Sequence, residues 1–68
     1  MTKAEYRILH ELQVRAWTEK TPFEVIGIRR DLARRMLRSG MLSKRAFSKG
    51  YIAATSDGRR RYMAETSR

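Results

Sequence analysis

The stretch "IGIRRDLARRMLRSGML", residues 26–42, combines a dense positive charge with a regular apolar pattern. It contains five arginines and one acidic residue. At about 100° per residue, its apolar side chains share one helical arc of about 140°: Leu32, Ala33, Met36 and Leu37. The arginines occupy the opposing arc or the N-terminal end: Arg30, Arg34, Arg35 and Arg38, with Arg29 at the start. This pattern predicts a helix over residues 29–39 that buries its leucine–methionine face and presents guanidinium groups to solvent.

Two glycines bound this helix. The segment "TPFE", residues 21–24, has the spacing of a capping box with proline in the first helical position, which predicts a short helix from Pro22 to Ile26. Gly27 follows, and glycine readily adopts the left-handed conformation that a tight turn requires. Ser39-Gly40 ends the second helix. Helix, glycine-bearing turn and helix over residues 21–39 predict a helix-turn-helix unit.

A first helix is predicted over residues 2–18. It begins with a capping box in which Thr2 and Glu5 satisfy backbone N–H groups of the first turn. A core-facing stripe follows at helical spacing: Ala4, Ile8, Leu9, Leu12 and Ala16. A weaker second stripe lies on roughly the opposite side: Tyr6, His10, Val14 and Trp17. This second stripe either seats the C-terminal segment, which we favour, or contacts another protein.

The segment over residues 42–54 is predicted to be a β-hairpin. "LSKRAF" and "GYIAAT" read as two short strands that flank a turn at "SKG". Alternation assigns four side chains as core anchors: Leu42, Phe47, Tyr51 and Ile52. It places the basic side chains Lys44, Arg45 and Lys49 in water near the tip.

A capped helix is predicted over residues 56–65. Thr55 or Ser56 is the expected N-cap, and Asp57 lies in the first turn, where the helix dipole favours a negative charge. Tyr62 and Met63 are expected to face the core, and Gly58 is expected to weaken the helix. The order of segments predicts one α+β domain over residues 1–68.

The net positive charge of the chain comes entirely from its C-terminal part. Residues 1–28 contain four Lys/Arg and four acidic residues, whereas residues 29–68 contain twelve Lys/Arg and three acidic residues, which gives the net charge of +9. Twelve of the sixteen basic residues are arginine, whose planar guanidinium makes bidentate contacts to phosphate and guanine. A neutral part joined to a strongly basic part indicates a polyanionic partner, and nucleic acid is the one we expect.

Several other classes of protein are excluded by composition. The chain has no cysteine, and its single histidine does not form a metal site by itself. "MTKAEYRILHEL" lacks the apolar block of a signal peptide, and no apolar run is long enough to span a membrane, so we expect a cytoplasmic location. Neither a nucleophile–base arrangement nor a "GxxxxGK[ST]" loop occurs. We therefore expect no enzyme activity, no cofactor and no metal.

The motifs resemble those of a winged helix-turn-helix. "IGIRRDLARRMLRSGML" is similar to the run of the MerR-type and phage excisionase DNA-binding domains, in which an apolar-Gly-apolar turn precedes a basic recognition helix. "SKGYIAATSDGRRRYM" resembles the wing of that family, followed by an acidic residue and an aromatic–aliphatic pair, here Asp57 and Tyr62-Met63. The additional first helix, with Tyr51, Thr55 and Gly58-Arg59, is similar to MarR- and PadR-like winged helices. The resemblance covers residues 21–64.

The resemblance implies a three-helix domain with a two-stranded wing and a short C-terminal helix. The recognition helix, residues 29–39, would enter the major groove of double-stranded DNA, and the wing would lie along the backbone or the minor groove. The implied base-reading residues are Arg29, Arg30 and Arg34. The implied phosphate contacts are Arg35, Arg38, Lys44, Arg45, Lys49, Arg59, Arg60 and Arg61.

The family also implies a role. A phage or mobile-element protein of this kind either bends DNA and directs integrase towards excision, or regulates transcription, and in both roles it associates with the nucleoid. Its protein partner would be integrase or another copy of itself, with Tyr6, His10, Val14 and Trp17 as candidate contacts. Two alternatives remain: an RNA- or ribosome-binding basic protein, and a protein-interaction module that inhibits a host factor.

Overall fold

The computed structural model describes residues 1–67, and these form five helices and a two-stranded antiparallel sheet. In chain order the elements are α1 (Lys3–Val14), β1 (Thr21–Pro22), α2 (Phe23–Ile26), α3 (Arg30–Arg38), α4 (Lys44–Ser48), β2 (Tyr51–Ile52) and α5 (Ser56–Thr66). The predicted α+β class is confirmed, but the chain has more helices than predicted. The longest helix has 12 residues, and within residues 1–67 no helix has the length and apolar character that crossing a membrane requires.

Helix α1 begins as predicted and ends early. The Thr2 hydroxyl accepts a hydrogen bond from the Glu5 N–H (3.1 Å), and a Glu5 carboxylate oxygen accepts one from the Thr2 N–H (2.8 Å), so the capping box is confirmed. The predicted end at residue 18 is wrong, because Ala16 and Trp17 both have a φ of 58° and a right-handed helix cannot continue through them. This left-handed backbone costs a non-glycine residue roughly 1–2 kcal/mol.

Five of the ten buried residues of the core cluster lie on α1 and α3. Ile8, Leu9 and Leu12 of α1 are completely buried, and Met36 of α3 is buried with them. The rest of the buried cluster comes from α2, α3 and the C-terminal part: Ile26, Leu32, Met41, Leu42, Ile52 and Tyr62. The predicted apolar face of α3 is confirmed for Leu32, Ala33 and Met36, whereas Leu37 is half-buried. Ala4 and Ala16, predicted for the core face of the first helix, are exposed.

Around α2, the predicted turn at Gly27 is confirmed and the predicted N-terminal capping box is wrong. Gly27 has a φ of 67°, and its N–H donates to the Phe23 carbonyl (3.0 Å), as the predicted turn requires. The capping box predicted at residues 21–24 is wrong because Thr21 lies in β1, where its hydroxyl is buried without a hydrogen-bond partner among the described residues. Pro22 is the N-cap of α2, which therefore has no side-chain cap.

The predicted hairpin over 42–54 is wrong at its tip and correct at its base. Residues 44–48 form α4 because the Ser43 hydroxyl accepts a hydrogen bond from the Ala46 N–H (3.2 Å) and so caps a helix. At the base, the Ser43 N–H donates to the Ala53 carbonyl (2.8 Å) and the Thr55 N–H to the Met41 carbonyl (3.1 Å). These bonds pair residues 41–43 with 53–55 antiparallel, and Leu42 forms a bridge with Ala54.

Strand β2 pairs with a distant segment. Thr21 is opposite Ile52 and Pro22 is opposite Tyr51, so β1 and β2 form the antiparallel sheet. Segment 51–55 therefore has β1 beside its first part and residues 41–43 beside its second part. Phe47 of α4 and Tyr51 of β2, both predicted as core anchors, are only half-buried.

Helix α5 is positioned by a close approach to residue 41. Thr55 is the N-cap, and its hydroxyl accepts a hydrogen bond from the Gly58 N–H (2.9 Å) and donates to the Gly40 carbonyl. A Cβ atom on Gly58 would clash with the Met41 carbonyl oxygen. Gly58 is thus required for packing, whereas the sequence predicted only a weakened helix. Tyr62 faces the core as predicted; Met63 does not, since it is 56% exposed.

The substitution Gly58→Ala tests this close approach. Alanine in place of glycine ordinarily stabilises a helix interior by ~1 kcal/mol. Here we expect destabilisation by about 1–3 kcal/mol, because a methyl group enters space occupied by the Met41 backbone. Thermal unfolding followed by circular dichroism measures the effect, with the exposed Ser56→Ala in the same helix as the control. Stabilisation by Gly58→Ala would contradict the close packing of α5 on residue 41.

Candidate nucleic-acid interface

The arginines of α3 form one exposed row. All four arginines of α3, together with Asp31, line a single shallow depression on the protein surface: Arg30, Arg34, Arg35 and Arg38. All four are exposed, because the opposite face of the helix is buried in the core. We call these four side chains the arginine row. The structure therefore brings together most of the residues that the sequence predicted for the recognition helix.

Within residues 1–67, the arginine row makes a single, long ion pair. Arg35 lies 3.9 Å from a Glu5 carboxylate oxygen, a long ion pair in which the Arg35 side chain stays 60% exposed. Arg30, Arg34 and Arg38 form no ion pair or hydrogen bond through their side chains with residues 1–67. Like charges four residues apart oppose helix formation by a few tenths of a kcal/mol per pair, roughly. Binding of a polyanion would remove this repulsion.

Arg29 lies at the N-terminal end of α3. It is the N-cap residue, with an extended backbone (φ −73°, ψ 147°), and its side chain is exposed. It does not line the depression formed by the arginine row. The structure thus places Arg29 beside the row, at the end of α3 that the sequence assigned to base contacts.

Of the basic residues of the predicted wing, Lys44 and Arg45 lie on α4, and Lys49 is its C-cap. Arg45 and Lys49 line a second recess together with Lys20 and Tyr51, whereas Lys44 is exposed on the same helix and does not line that recess. Neither Arg45 nor Lys49 lines the depression of the arginine row. The predicted hairpin tip is therefore wrong for these residues: Lys44, Arg45 and Lys49 lie in or next to a short helix.

The three consecutive arginines of α5 have intramolecular partners. Arg60 and Arg61 both pair with Asp57, at 3.4 and 3.1 Å. The guanidinium carbon of Arg59 lies 5.5 Å from the centroid of the Trp17 ring, a cation–π contact, and Arg59 also donates to the Trp17 carbonyl (3.3 Å). All three side chains remain exposed. Their positions are thus partly determined by contacts within the protein, in contrast to the arginine row.

The second stripe of α1 packs mainly on α5. The ring of Tyr62 lies 5.1 Å from that of Tyr6 and 5.5 Å from that of Trp17, and a 2.8 Å hydrogen bond joins its hydroxyl to Nδ1 of His10. Burial, and secondarily the neighbouring Tyr6 hydroxyl, raises the pKa of Tyr62 above its ordinary value. Val14 is separate from the cluster and 65% exposed. Three of the four candidate protein contacts therefore seat the C-terminal helix.

Two residues near the basic surfaces were not identified from sequence. Lys20 lies in the loop before β1, and Tyr51 was assigned to the core, yet both line the recess beside α4. No local motif marks them, because they come together only through the pairing of β1 with β2. Among residues 1–67, no three histidine, aspartate or glutamate side chains are grouped in a way that could hold a metal ion.

Comparison of the chain with protein-family models, with curated proteins and with solved structures finds no match. The function is therefore inferred from the residues and their arrangement.

The pair Trp17→Ala and Val14→Ala tests the role of the second stripe. We expect Trp17→Ala to lower the free energy of unfolding by about 1–3 kcal/mol, because the Trp17 ring packs on Tyr62 and contacts the Arg59 guanidinium. This loss is smaller than the ~3–5 kcal/mol of a fully buried tryptophan, because Trp17 is only half-buried. Val14→Ala should change stability by less than about 0.5 kcal/mol, since Val14 is exposed. Chemical denaturation measures both. A monomer that keeps its stability with Trp17→Ala would show that this residue is not part of the core.

Proposed function

We propose that this protein binds double-stranded DNA with α3 in the major groove. The observation that carries the proposal is the arginine row, in which three of four guanidinium groups have no partner among the described residues. An α-helix with its side chains is roughly 10–12 Å wide and the major groove is about 12 Å wide, so an exposed helix face of this kind fits the groove. A net charge of +9 supplies the long-range attraction.

Within this proposal the two ends of α3 have different roles. The N-terminal part of a recognition helix contacts base edges, which assigns Arg29, Arg30 and Arg34 to bases. An arginine bidentate to guanine O6 and N7 contributes about 1–3 kcal/mol of discrimination. Arg38, at the C-terminal end, and Arg35, which leans towards Glu5, are assigned to phosphates.

The order of elements supports a winged helix-turn-helix of modified form. Helix α1, the α2–Gly27–α3 unit and the antiparallel pairing of residues 41–43 with 53–55 follow one another as in the domains that the sequence resembles. The modification is α4, which replaces the extended tip of the wing. Of the α5 arginines, Arg61 borders a recess that contains Ser39, at the end of α3, but also Glu5 and Glu65, so a phosphate contact at this flank stays a prediction from the sequence.

The biological role that we propose is excisionase-like control of recombination or regulation of transcription on phage or mobile-element DNA. A nine-residue helix is only ~13.5 Å long and reads few base pairs, so two or more copies, or a copy and an integrase, would be needed on adjacent sites for useful specificity. Such a protein would reside with the nucleoid.

The first experiment compares duplex DNA with single-stranded RNA of equal length by fluorescence anisotropy at several salt concentrations. We expect tighter binding to the duplex and a slope of log K against log salt of about −5 or steeper, which corresponds to roughly six or more phosphate contacts. Preference for the RNA, or a slope near zero, would refute the proposal.

The second experiment uses charge-matched variants of the full chain. Arg34→Gln removes one guanidinium of the arginine row, and Arg7→Gln removes an exposed guanidinium from α1. We expect Arg34→Gln to weaken duplex binding about tenfold, and Arg7→Gln to change it less than about twofold. Both variants should unfold at the wild-type temperature. Equal effects of the two on binding would show that α3 is not the contact surface.

A further inference from the structure

An aspartate lies among the guanidinium groups of the arginine row. Asp31 is exposed and lines the same depression as the four arginines. At ~100° per residue, it is within about 60° of Arg34, Arg35 and Arg38 around the axis of α3. Its carboxylate therefore belongs to the surface that we propose for DNA contact, and it lies in the first turn of the helix.

The Asp31 carboxylate has no partner within residues 1–67. It is three residues before Arg34 and four before Arg35, the spacing at which opposite charges on a helix commonly pair. Neither arginine, however, lies within ion-pair distance of it, and its side chain forms no hydrogen bond in the described part of the chain. The helix dipole favours a negative charge at this end of α3, but an exposed carboxylate repels the phosphates of DNA. Asp31 is therefore expected to lower the affinity of this surface for DNA of arbitrary sequence.

The base edges in the major groove offer such a carboxylate a restricted choice of contacts. An ionised carboxylate accepts hydrogen bonds and donates none. Guanine presents two acceptors in the major groove, and thymine presents an acceptor and a methyl group. Adenine presents its N6 donor beside the N7 acceptor, which repels a negative charge, whereas cytosine presents its N4 donor without an acceptor beside it on the same base. Cytosine is therefore the base whose edge best suits a carboxylate.

We propose that Asp31 determines sequence specificity by accepting a hydrogen bond from the N4 amino group of a cytosine in the major groove. This inference rests on the proposed function, and it names the class of DNA site: guanines for the arginines combined with a cytosine for Asp31. Residues 31 and 34 are separated by ~4.5 Å along the helix axis, slightly more than the ~3.4 Å between stacked base pairs. The cytosine thus lies within about two base pairs of the guanine that Arg34 binds. Sequences without this cytosine leave the carboxylate charge without a donor and are rejected.

The test selects sites from a pool of duplexes with a randomised central segment of about 16 base pairs, and sequencing gives the base preference at each position. We expect the wild type to select a cytosine, about fivefold or more over the other bases, within about two base pairs of a guanine that Arg34→Gln no longer selects. Asp31→Ala should lose the cytosine preference and keep the guanine preference. Asp31→Asn should change the preference from cytosine to adenine, because an amide binds adenine N6 and N7 together.

Glu24→Gln is the matched control for these variants. Glu24 is exposed in α2, outside the depression, and its substitution changes the net charge by the same amount as Asp31→Asn. It should leave every base preference unchanged. A cytosine preference that persists in Asp31→Ala would overturn the proposal. So would loss of the guanine preference alone, which would show that Asp31 orients Arg34 and contacts no base.

A modified base tests the same contact from the side of the DNA. N4-methylcytosine pairs with guanine through its remaining N4–H and directs its methyl group into the major groove, so it removes the donor for Asp31. At the selected cytosine it should weaken binding of the wild type about fivefold or more, and change binding of Asp31→Ala less than about twofold. Equal weakening of the two proteins would show that Asp31 does not contact this base.

The same measurements separate this proposal from the proposed function. If duplex binding depends on Arg34 but no base preference depends on Asp31, the proposal for Asp31 fails and the proposed function stands. If Arg34→Gln leaves duplex binding and every base preference unchanged, both fail.

Discussion

Burial of one face of α3 against α1 determines how the other elements of the protein are arranged. Leu32 and Met36 pack into the cluster that contains Ile8, Leu9 and Leu12, and burial of each large apolar side chain contributes about 1.5–3 kcal/mol. Repulsion between arginines four residues apart costs only a few tenths of a kcal/mol, roughly. The core therefore determines the rotation of α3, and the arginine row is exposed as a consequence. The candidate functional surface is set by apolar packing on the other side of the same helix.

A second set of contacts connects the C-terminal helix to this core. Thr55 caps α5 and bonds to the Gly40 carbonyl, while Gly58 allows α5 to approach the backbone of Met41. Tyr62 then contacts the rings of Tyr6 in α1 and of Trp17 just after it. In a chain of this length the hydrophobic core contributes only roughly 3–5 kcal/mol to the free energy of unfolding, so these additional contacts matter for its stability. They fix the segment that follows α3, and with it the position of α4 and its basic residues.

The features that the sequence predicted correctly are encoded locally. The Thr2–Glu5 capping box, the turn at Gly27, the end of α3 at Ser39-Gly40 and the apolar face of α3 all depend on residues within one or two helical turns. The helices at the two ends of the chain, α1 and α5, were predicted from the same kind of local capping and spacing. The arginine row was predictable because helical periodicity alone separates it from the buried face.

The features that could not be predicted from the sequence depend on contacts between distant residues or lie in short segments whose pattern fits both a helix and a strand. The alternation used to predict a strand is interrupted at Lys44-Arg45, two adjacent basic residues, and the Ser43 side chain caps a helix there instead. The pairing of Thr21 with Ile52 joins segments thirty-one positions apart, and it removes Thr21 from the cap that its local sequence indicates. The left-handed backbone at Ala16 and Trp17 accompanies the ring contact of Trp17 with Tyr62, a residue forty-five positions away that no local pattern reveals. The recess beside α4 combines Lys20 with Lys49 only because β1 pairs with β2.

Three guanidinium groups of α3 have no partner among residues 1–67, and we expect them to contact DNA together. NMR can follow their Nε–H resonances during titration with duplex DNA. We expect those of Arg30, Arg34 and Arg38 to shift together and to become protected from exchange with water, because each guanidinium gains a base or phosphate acceptor. If they remain unchanged while the resonances of Arg59, Arg60 and Arg61 shift, DNA binds through α5, and α3 is not a recognition helix.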